Sequence, residues 1–198
     1  MSFQNTKLSR TAKLQEEQML RELDLKNKRF ALQLWRVVNG GVFLFFIFAN
    51  YLMRQQTPWP PPGVDRLNAT IPTIISLGLL VSGWTALLAQ RAIRRNDREG
   101  MLRNIVITLA FGVAFLVGLA FVWRQVPYSG GYSTIFFTMT GFHAVHVFVG
   151  MLLFAYIYRK AQHGGYSAEN YWGVEATVIF WHFVDLMWVL YFVVLYML

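Results

Sequence analysis

Asn104-Ile-Val-Ile-Thr-Leu-Ala-Phe-Gly-Val-Ala-Phe-Leu-Val-Gly-Leu-Ala-Phe-Val-Trp123 is a stretch without a single charge, closed by Arg103 before it and Arg124 after it. About 20 apolar helical residues cross about 30 Å of hydrocarbon, so the stretch predicts a membrane-spanning helix. Working outward, the same test marks residues 37–53 between Arg36 and Arg54 and residues 67–90 between Arg66 and Arg91. Beyond the Tyr-Gly turn residues it marks about 133–158, and finally about 173–196, which Glu175 and Asp185 interrupt. The expected fold is an all-α integral membrane protein: five transmembrane helices in a bundle at about 37–54, 70–92, 103–123, 133–158 and 173–196. Residues 1–35 form a separate cytoplasmic helical extension in this reading.

Composition agrees. The 198-residue chain is 56% hydrophobic and only 14% charged, against about 25% charged in soluble domains. It has no cysteine, which excludes disulfides, thiolate zinc sites, iron–sulfur clusters and Cys-ligated copper within it. The formal charge of +8 would suggest nucleic acid on a soluble protein, but most basic residues here flank apolar runs. Eight Lys and Arg lie in residues 1–36, five in the connection 91–103, and Arg159 and Lys160 in the fourth connection; Arg54, Arg66 and Arg124 alone fall on the other side. Basic residues are retained in the cytoplasm, so the N-terminus is expected inside and Leu198 outside.

The segment ahead of Phe30 lacks the apolar core of a signal peptide and carries Glu16, Glu17, Glu22 and Asp24, too acidic for a transit peptide. It reads as a solvated helix supported by Glu17/Arg21, Glu22/Lys26 and Asp24/Lys28 pairs at i,i+4, each worth about 0.2–0.5 kcal/mol. Thr57-Pro-Trp-Pro-Pro-Pro-Gly63 predicts an extended outside loop with Trp59 as an aromatic anchor at headgroup level. Asn68-Ala-Thr70 matches a glycosylation sequon, a motif too short to weigh much. Small residues at Gly78/Ser82, with Gly83 beside them, and at Ala114/Gly118 point to close helix packing.

Chemistry, if there is any, lies in spans four and five. His143 and His146 stand in Thr-Gly-Phe-His-Ala-Val-His-Val, and His182 in Phe-Trp-His-Phe-Val-Asp. Ionisable groups in lipid are expensive and face the bundle. His182 and Asp185 share a helix face, and Glu175 is nearly in register with them. Asp185 lies about 16 Å from the inside end of span five, at a height similar to His146 in antiparallel span four, so the two could meet. Three readings stand open for His143, His146, Glu175, His182 and Asp185: hydrogen-bonded clamps between helices, a proton relay, or a metal site on the histidines.

Two segments carry a resemblance. Thr140-Gly-Phe-His-Ala-Val-His-Val-Phe-Val-Gly150 and Trp181-His-Phe-Val-Asp-Leu-Met-Trp188 resemble the signature segments of cytochrome c oxidase subunit III. The likeness extends to the Trp59 to Gly63 loop, Ser82-Gly83, the Asn96-Asp-Arg-Glu-Gly-Met-Leu102 loop and Glu175, and from Trp59 to Leu198 the chain follows the family's order. Five spans resemble the short bacterial form, which lacks the first two helices of the long one. The resemblance implies a subunit of a haem-copper terminal oxidase in a bacterial plasma membrane. That enzyme reduces oxygen to water and pumps protons, with haem and copper held by other subunits. It implies no cofactor or metal in this chain, and no catalytic residue. Expected partners are subunit I in direct contact, subunit II, other small membrane subunits and phospholipids held in a V-shaped cleft, but no nucleic acid. The expected role is to sustain proton uptake and resist turnover inactivation. Trp59, Thr140, Trp181 and Trp188 are candidates for lipid or interface contact.

The chain departs from the family pattern twice. Where the family carries a glutamate in the helix matching span one, this sequence reads Val38-Asn-Gly-Gly-Val42, so Gly40 and Gly41 are expected to admit a neighbouring helix or lipid chain. Where the third span normally ends in Gln and a Glu-Tyr pair, it reads Leu119-Ala-Phe-Val-Trp123. Accessory subunits of a quinol oxidase or a nitric-oxide reductase would share these signatures. A small channel or transporter predicts inverted repeats and broken helices, and neither is visible.

Overall fold

The computed structural model describes residues 2–56, 59, 69–128 and 130–198, with side chains from residue 13 onward. The polyproline stretch apart from Trp59, and Asn68 of the sequon, lie outside the described residues. Five helices follow in order: α1 Ser2–Gln56, α2 Thr70–Arg94, α3 Arg98–Gln125, α4 Gly130–Gln162 and α5 Trp172–Phe192, which continues as a π-helical stretch Val193–Met197. Among the described residues, five helices are long and apolar enough to cross a membrane. Among the described residues there is no strand, only an isolated antiparallel bridge between Ser167 and Asn170. Helices α3 and α4 overrun the apolar stretches read from sequence at both ends, because hydropathy marks the part inside lipid and not the end of the hydrogen-bonded helix.

The chain divides into two compact units, Met1–Asn39 and Gly40–Leu198. In the first, the described side chains are largely exposed, Asp24 and Lys28 form the i,i+4 ion pair, and the Asn39 amide donates to the Trp35 carbonyl. The second is the bundle. Helix α2 packs along α3, α5 lies against α2 and α4, and α3 against α4.

Water is absent from hydrocarbon, so a hydroxyl in a span gains from a partner within the protein. Most return to their own helix: Ser76 donates to the Pro72 carbonyl, Ser82 to Leu79, Thr108 to Asn104 and Thr140 to Phe136. Thr85 and Thr108, 2.7 Å apart, join α2 to α3.

Glycines set the helix separations at several seams. A Cβ on Gly78 would lie 3.3 Å from the Phe111 ring, and one on Gly118 would collide with Ile75. One on Gly83 would lie 2.5 Å from Asp185 Oδ2. Gly40 and Gly41 are less closely approached. A Cβ on Gly40 would make an ordinary 3.7 Å contact with Phe183, and one on exposed Gly41 would meet nothing within 4 Å. Phe43, two residues beyond Gly41, is the fully buried side chain of this stretch.

Candidate functional site

Phe43 of α1 is fully buried, with its ring 5.1 Å from His146, 6.4 Å from His143, 4.9 Å from Phe142 and 5.3 Å from Tyr191. His143 is fully buried between Trp188 (4.8 Å, tilted by 33°) and the edge of Phe115 (5.4 Å). Neither of its ring nitrogens has a hydrogen-bond partner. His146 is half-buried with Nδ1 2.9 Å from the Phe142 carbonyl. His182 is also half-buried, with Nδ1 3.0 Å from the Val178 carbonyl. A carbonyl accepts only, so each of these rings donates from Nδ1.

The expected meeting of Asp185 with the histidines does not occur. No hydrogen bond or ion pair joins Asp185 to His146 or His182, and Asp185 Oδ1 is buried without a partner. Its carboxylate faces Gly83 of α2, with His182 Cε1 at the same glycine, 3.9 Å from the position a Cβ would take. The groups therefore separate: His146 packs on Phe43 of α1, His143 lies between α3 and α5, and His182 and Asp185 lie at Gly83 of α2. Equal height fixed only one coordinate; the rotation of each helix about its axis put the groups on different seams. Glu175 is apart from both, in the first turn of α5, 4.0 Å from Arg94 at the end of α2. Among the described residues no three His, Cys, Asp or Glu side chains gather closely enough to hold a metal ion.

Three of the residues expected at lipid or an interface are instead interior braces. Trp181 is fully buried and donates from Nε1 to Ser82 Oγ at 3.0 Å, tying α5 to α2. Trp188, 1% exposed, donates to Ser76 Oγ at 2.7 Å and repeats the tie two turns further on. Buried Thr140 accepts from Trp123 Nε1 at 3.0 Å, joining α3 to α4. An indole N–H in hydrocarbon needs an acceptor, and a serine or threonine on the facing helix is the nearest one. Trp59 alone is partly exposed, its ring 4.6 Å from Tyr132 and 5.3 Å from the Arg54 guanidinium.

The end of the bundle that carries Arg91, Arg94 and Arg95 is held by polar contacts. Asn96 takes φ +56°, which allows a tight turn between α2 and α3, and its side-chain oxygen accepts from the Ala168 N–H at 2.8 Å. Asp97 caps α3 through the Gly100 N–H at 2.8 Å. Arg94 lies 5.1 Å over the Tyr171 ring, and Lys160 5.0 Å over Tyr166. Burial pushes the Tyr166 hydroxyl above its ordinary range, with Tyr156 adding to the effect.

Sequence reading missed Phe43, Phe115 and Ser76, whose importance comes only from what they face. It also missed Asn50, fully buried with both side-chain polar atoms unpartnered, although a lone Asn within an apolar run is a signal of its own.

The fold and these seams define a class: a polytopic helical membrane protein whose buried indoles and hydroxyls join its own helices. The family model of cytochrome c oxidase subunit III matches residues 31–198. The chain is 34% identical over 176 residues to cytochrome c oxidase subunit 3 of Synechocystis, covering 86% of this chain and 76% of that one. It is 35% identical over 163 residues to that of Thermostichus vulcanus (80% and 79%), and 32% over 181 residues to that of Sus scrofa (86% and 69%). The chain belongs to the cytochrome c oxidase subunit III family, and is thus a membrane subunit of an oxidoreductase complex.

Proposed function

We propose that this chain is the non-redox, five-helix subunit III of a bacterial haem-copper oxidase, with its N-terminus and the Arg91 to Arg103 turn in the cytoplasm. It lies directly against catalytic subunit I, alongside subunit II and small membrane subunits, with haem and copper held by those partners. Its work is to keep the catalytic subunit stable and supplied with protons, and it carries bound phospholipid. The observation that supports this best is the use to which the signature residues are put: Trp181, Trp188 and Thr140 brace helices, and the histidines and carboxylates form no common centre among the described residues. The charge distribution supports the orientation, since 15 of 18 basic residues lie on one side of the five spans.

Deletion of the chain from the assembled oxidase tests the role. Haem spectra and initial oxygen reduction persist, while proton uptake falls or catalytic lifetime shortens. Loss of haem from an otherwise assembled remainder would refute the reading, since it would make these histidines ligands. A reporter fused after Leu198 that works only in the cytoplasm would overturn the orientation.

A further inference from the structure

A row of apolar side chains stands exposed among the charges in the first part of α1. Leu20, Leu23, Asn27, Phe30, Leu34 and Val37 follow one another at spacings of 3, 4, 3, 4 and 3. That is the heptad spacing of a coiled coil, with Leu20, Asn27 and Leu34 at its a positions and Leu23, Phe30 and Val37 at its d positions. All six are exposed, Leu23 by 48% and Phe30 by 70%. Asn27, in the middle of the row, makes no side-chain hydrogen bond among the described residues. A solvated helix needs no such row, since polar faces and pairs such as Asp24 with Lys28 suffice for it. The family does not require it either: residues up to Phe30 precede the segment 31–198 that matches subunit III.

We infer that the row is the contact between two copies of this chain, whose N-terminal extensions pair as a short parallel coiled coil and join two oxidase complexes. The inference rests on the functional reading above for the oxidase and for the extension's place in water. Three features select a second copy. Asn27 would lie unpaired against an apolar partner helix, whereas an in-register copy brings Asn27 against Asn27, and each amide can then give and accept a hydrogen bond. Two copies in one membrane share one orientation, and α1 is a single helix from Ser2 to Gln56, so their extensions run parallel as that pairing requires. The flanks fit as well: across a parallel pair Met19 faces Asp24 and Lys26 faces Ala31, with no like charges opposed. A membrane surface suits the row less, because Glu17 and Asp24 border it on one side and would face anionic headgroups. Six layers make a short coil, and confinement of both copies to one membrane raises their effective concentration.

The chain has no cysteine, so single cysteines report the contact without background from the chain itself. Leu23→Cys, Phe30→Cys, Glu22→Cys and Leu25→Cys are placed one at a time in the full chain within the oxidase complex, and isolated membranes are treated with a copper–phenanthroline oxidant. Glu22 and Leu25 are exposed on faces away from the row. A disulfide forms only between cysteines whose Cα atoms come within about 7 Å. The expected result for Leu23→Cys and Phe30→Cys is a band of doubled mass, identified by mass spectrometry as two copies of this chain, and for Glu22→Cys and Leu25→Cys a band of single mass. Leu23→Glu added to Phe30→Cys should abolish the doubled band, because it sets two carboxylates against each other in the seam. The inference is overturned if Leu23→Cys or Phe30→Cys stays single or joins a different protein, if all four cysteines cross-link alike through random collision, or if Leu23→Glu leaves the band unchanged. The haem spectrum of the same membranes bears on the oxidase reading alone, and the cross-linking pattern on the pairing alone.

Discussion

Gly150→Ala in α4 is the substitution whose cost can be worked most directly from the structure. The added methyl would lie 2.7 and 2.8 Å from Trp181 Cε3 and Cζ3, and 3.1 Å from Phe180 Cε1. Carbon atoms in good contact are about 3.5–4.0 Å apart, so the indole must retreat by about 0.8 Å. It has nowhere to go: Nε1 is bonded to Ser82, the far edge is at Gly112, and Phe154 packs 5.5 Å away. Overpacking of this kind costs about 1–3 kcal/mol, and stretching the indole bond adds about 0.5–1.5 kcal/mol. Removing glycine from a helix returns about 0.5–1 kcal/mol. The expected net loss is about 0.5–4 kcal/mol, roughly a 2- to 900-fold shift in the folded-to-unfolded ratio. The assay is denaturant titration of the detergent-solubilised complex, following release of this chain. Trp181→Phe supplies the control, because a phenyl ring is smaller and leaves room for the methyl. Gly150→Ala should therefore cost at least about 1 kcal/mol less in the Trp181→Phe background than in wild type. If the two substitutions add within about 0.5 kcal/mol, the contact does not carry the effect and the reasoning fails.

Other substitutions discriminate between neighbouring readings. Asn96→Ala should destabilise the turn by about 1–2 kcal/mol through its left-handed backbone, beyond the lost bond to Ala168, whereas Asn96→Gly should lose only the bond; the order of the two thermal midpoints checks this. Thr140→Val strands the Trp123 indole N–H and should cost about 1–3 kcal/mol, read as earlier release of the chain in the same titration. Gly41→Ala should be neutral or stabilising by up to about 1 kcal/mol, while Gly83→Ala forces Asp185 aside and lowers the yield of assembled complex. Tyr166 favours the fold in its neutral form, since burial raises its pKa; that contribution is whole below pH 10 and lost as pH climbs through the raised value. Tyr166→Phe should therefore flatten the alkaline limb of a stability–pH profile.

The five helices were legible because lipid imposes one strong rule: a long uncharged apolar run must be helical. Charges mark where such runs stop, which is why Arg103 and Arg124 bracket a span inside α3, Arg98–Gln125. The candidate site was legible in residue type but not in pairing. The regular rise of a helix set the depths of His143, His146, His182 and Asp185. Which seam each faces depends on helix rotation, and that depends on bulk elsewhere, such as Phe43 against α4 and Gly83 beneath Asp185. The tryptophans misled for a related reason. Aromatic belts make Trp an interfacial residue on average, yet Trp181 and Trp188 each face a serine on α2 that takes the indole proton, and an indole so satisfied can lie in the core.

Donor supply also accounts for the two positions where acids are missing. A carboxylate in a span needs donors. At the first position the bundle offers Phe43 and an aromatic surround of Phe142, Phe183 and Tyr191, whose hydroxyl donates to the Phe43 carbonyl at 3.4 Å. An acid at Gly40 would meet the Phe183 ring, and none of these rings offers a donor in place of a carboxylate's partner. At the second, Trp123 turns the end of α3 into a donor, and Thr140 of the signature segment is its acceptor. A seam held by indole and hydroxyl needs no proton and no charge to remain closed. Neither contact, Phe43 on Phe142 or Trp123 on Thr140, contains a group that titrates, so both should hold their packing across the pH range in which a carboxylate would change its charge.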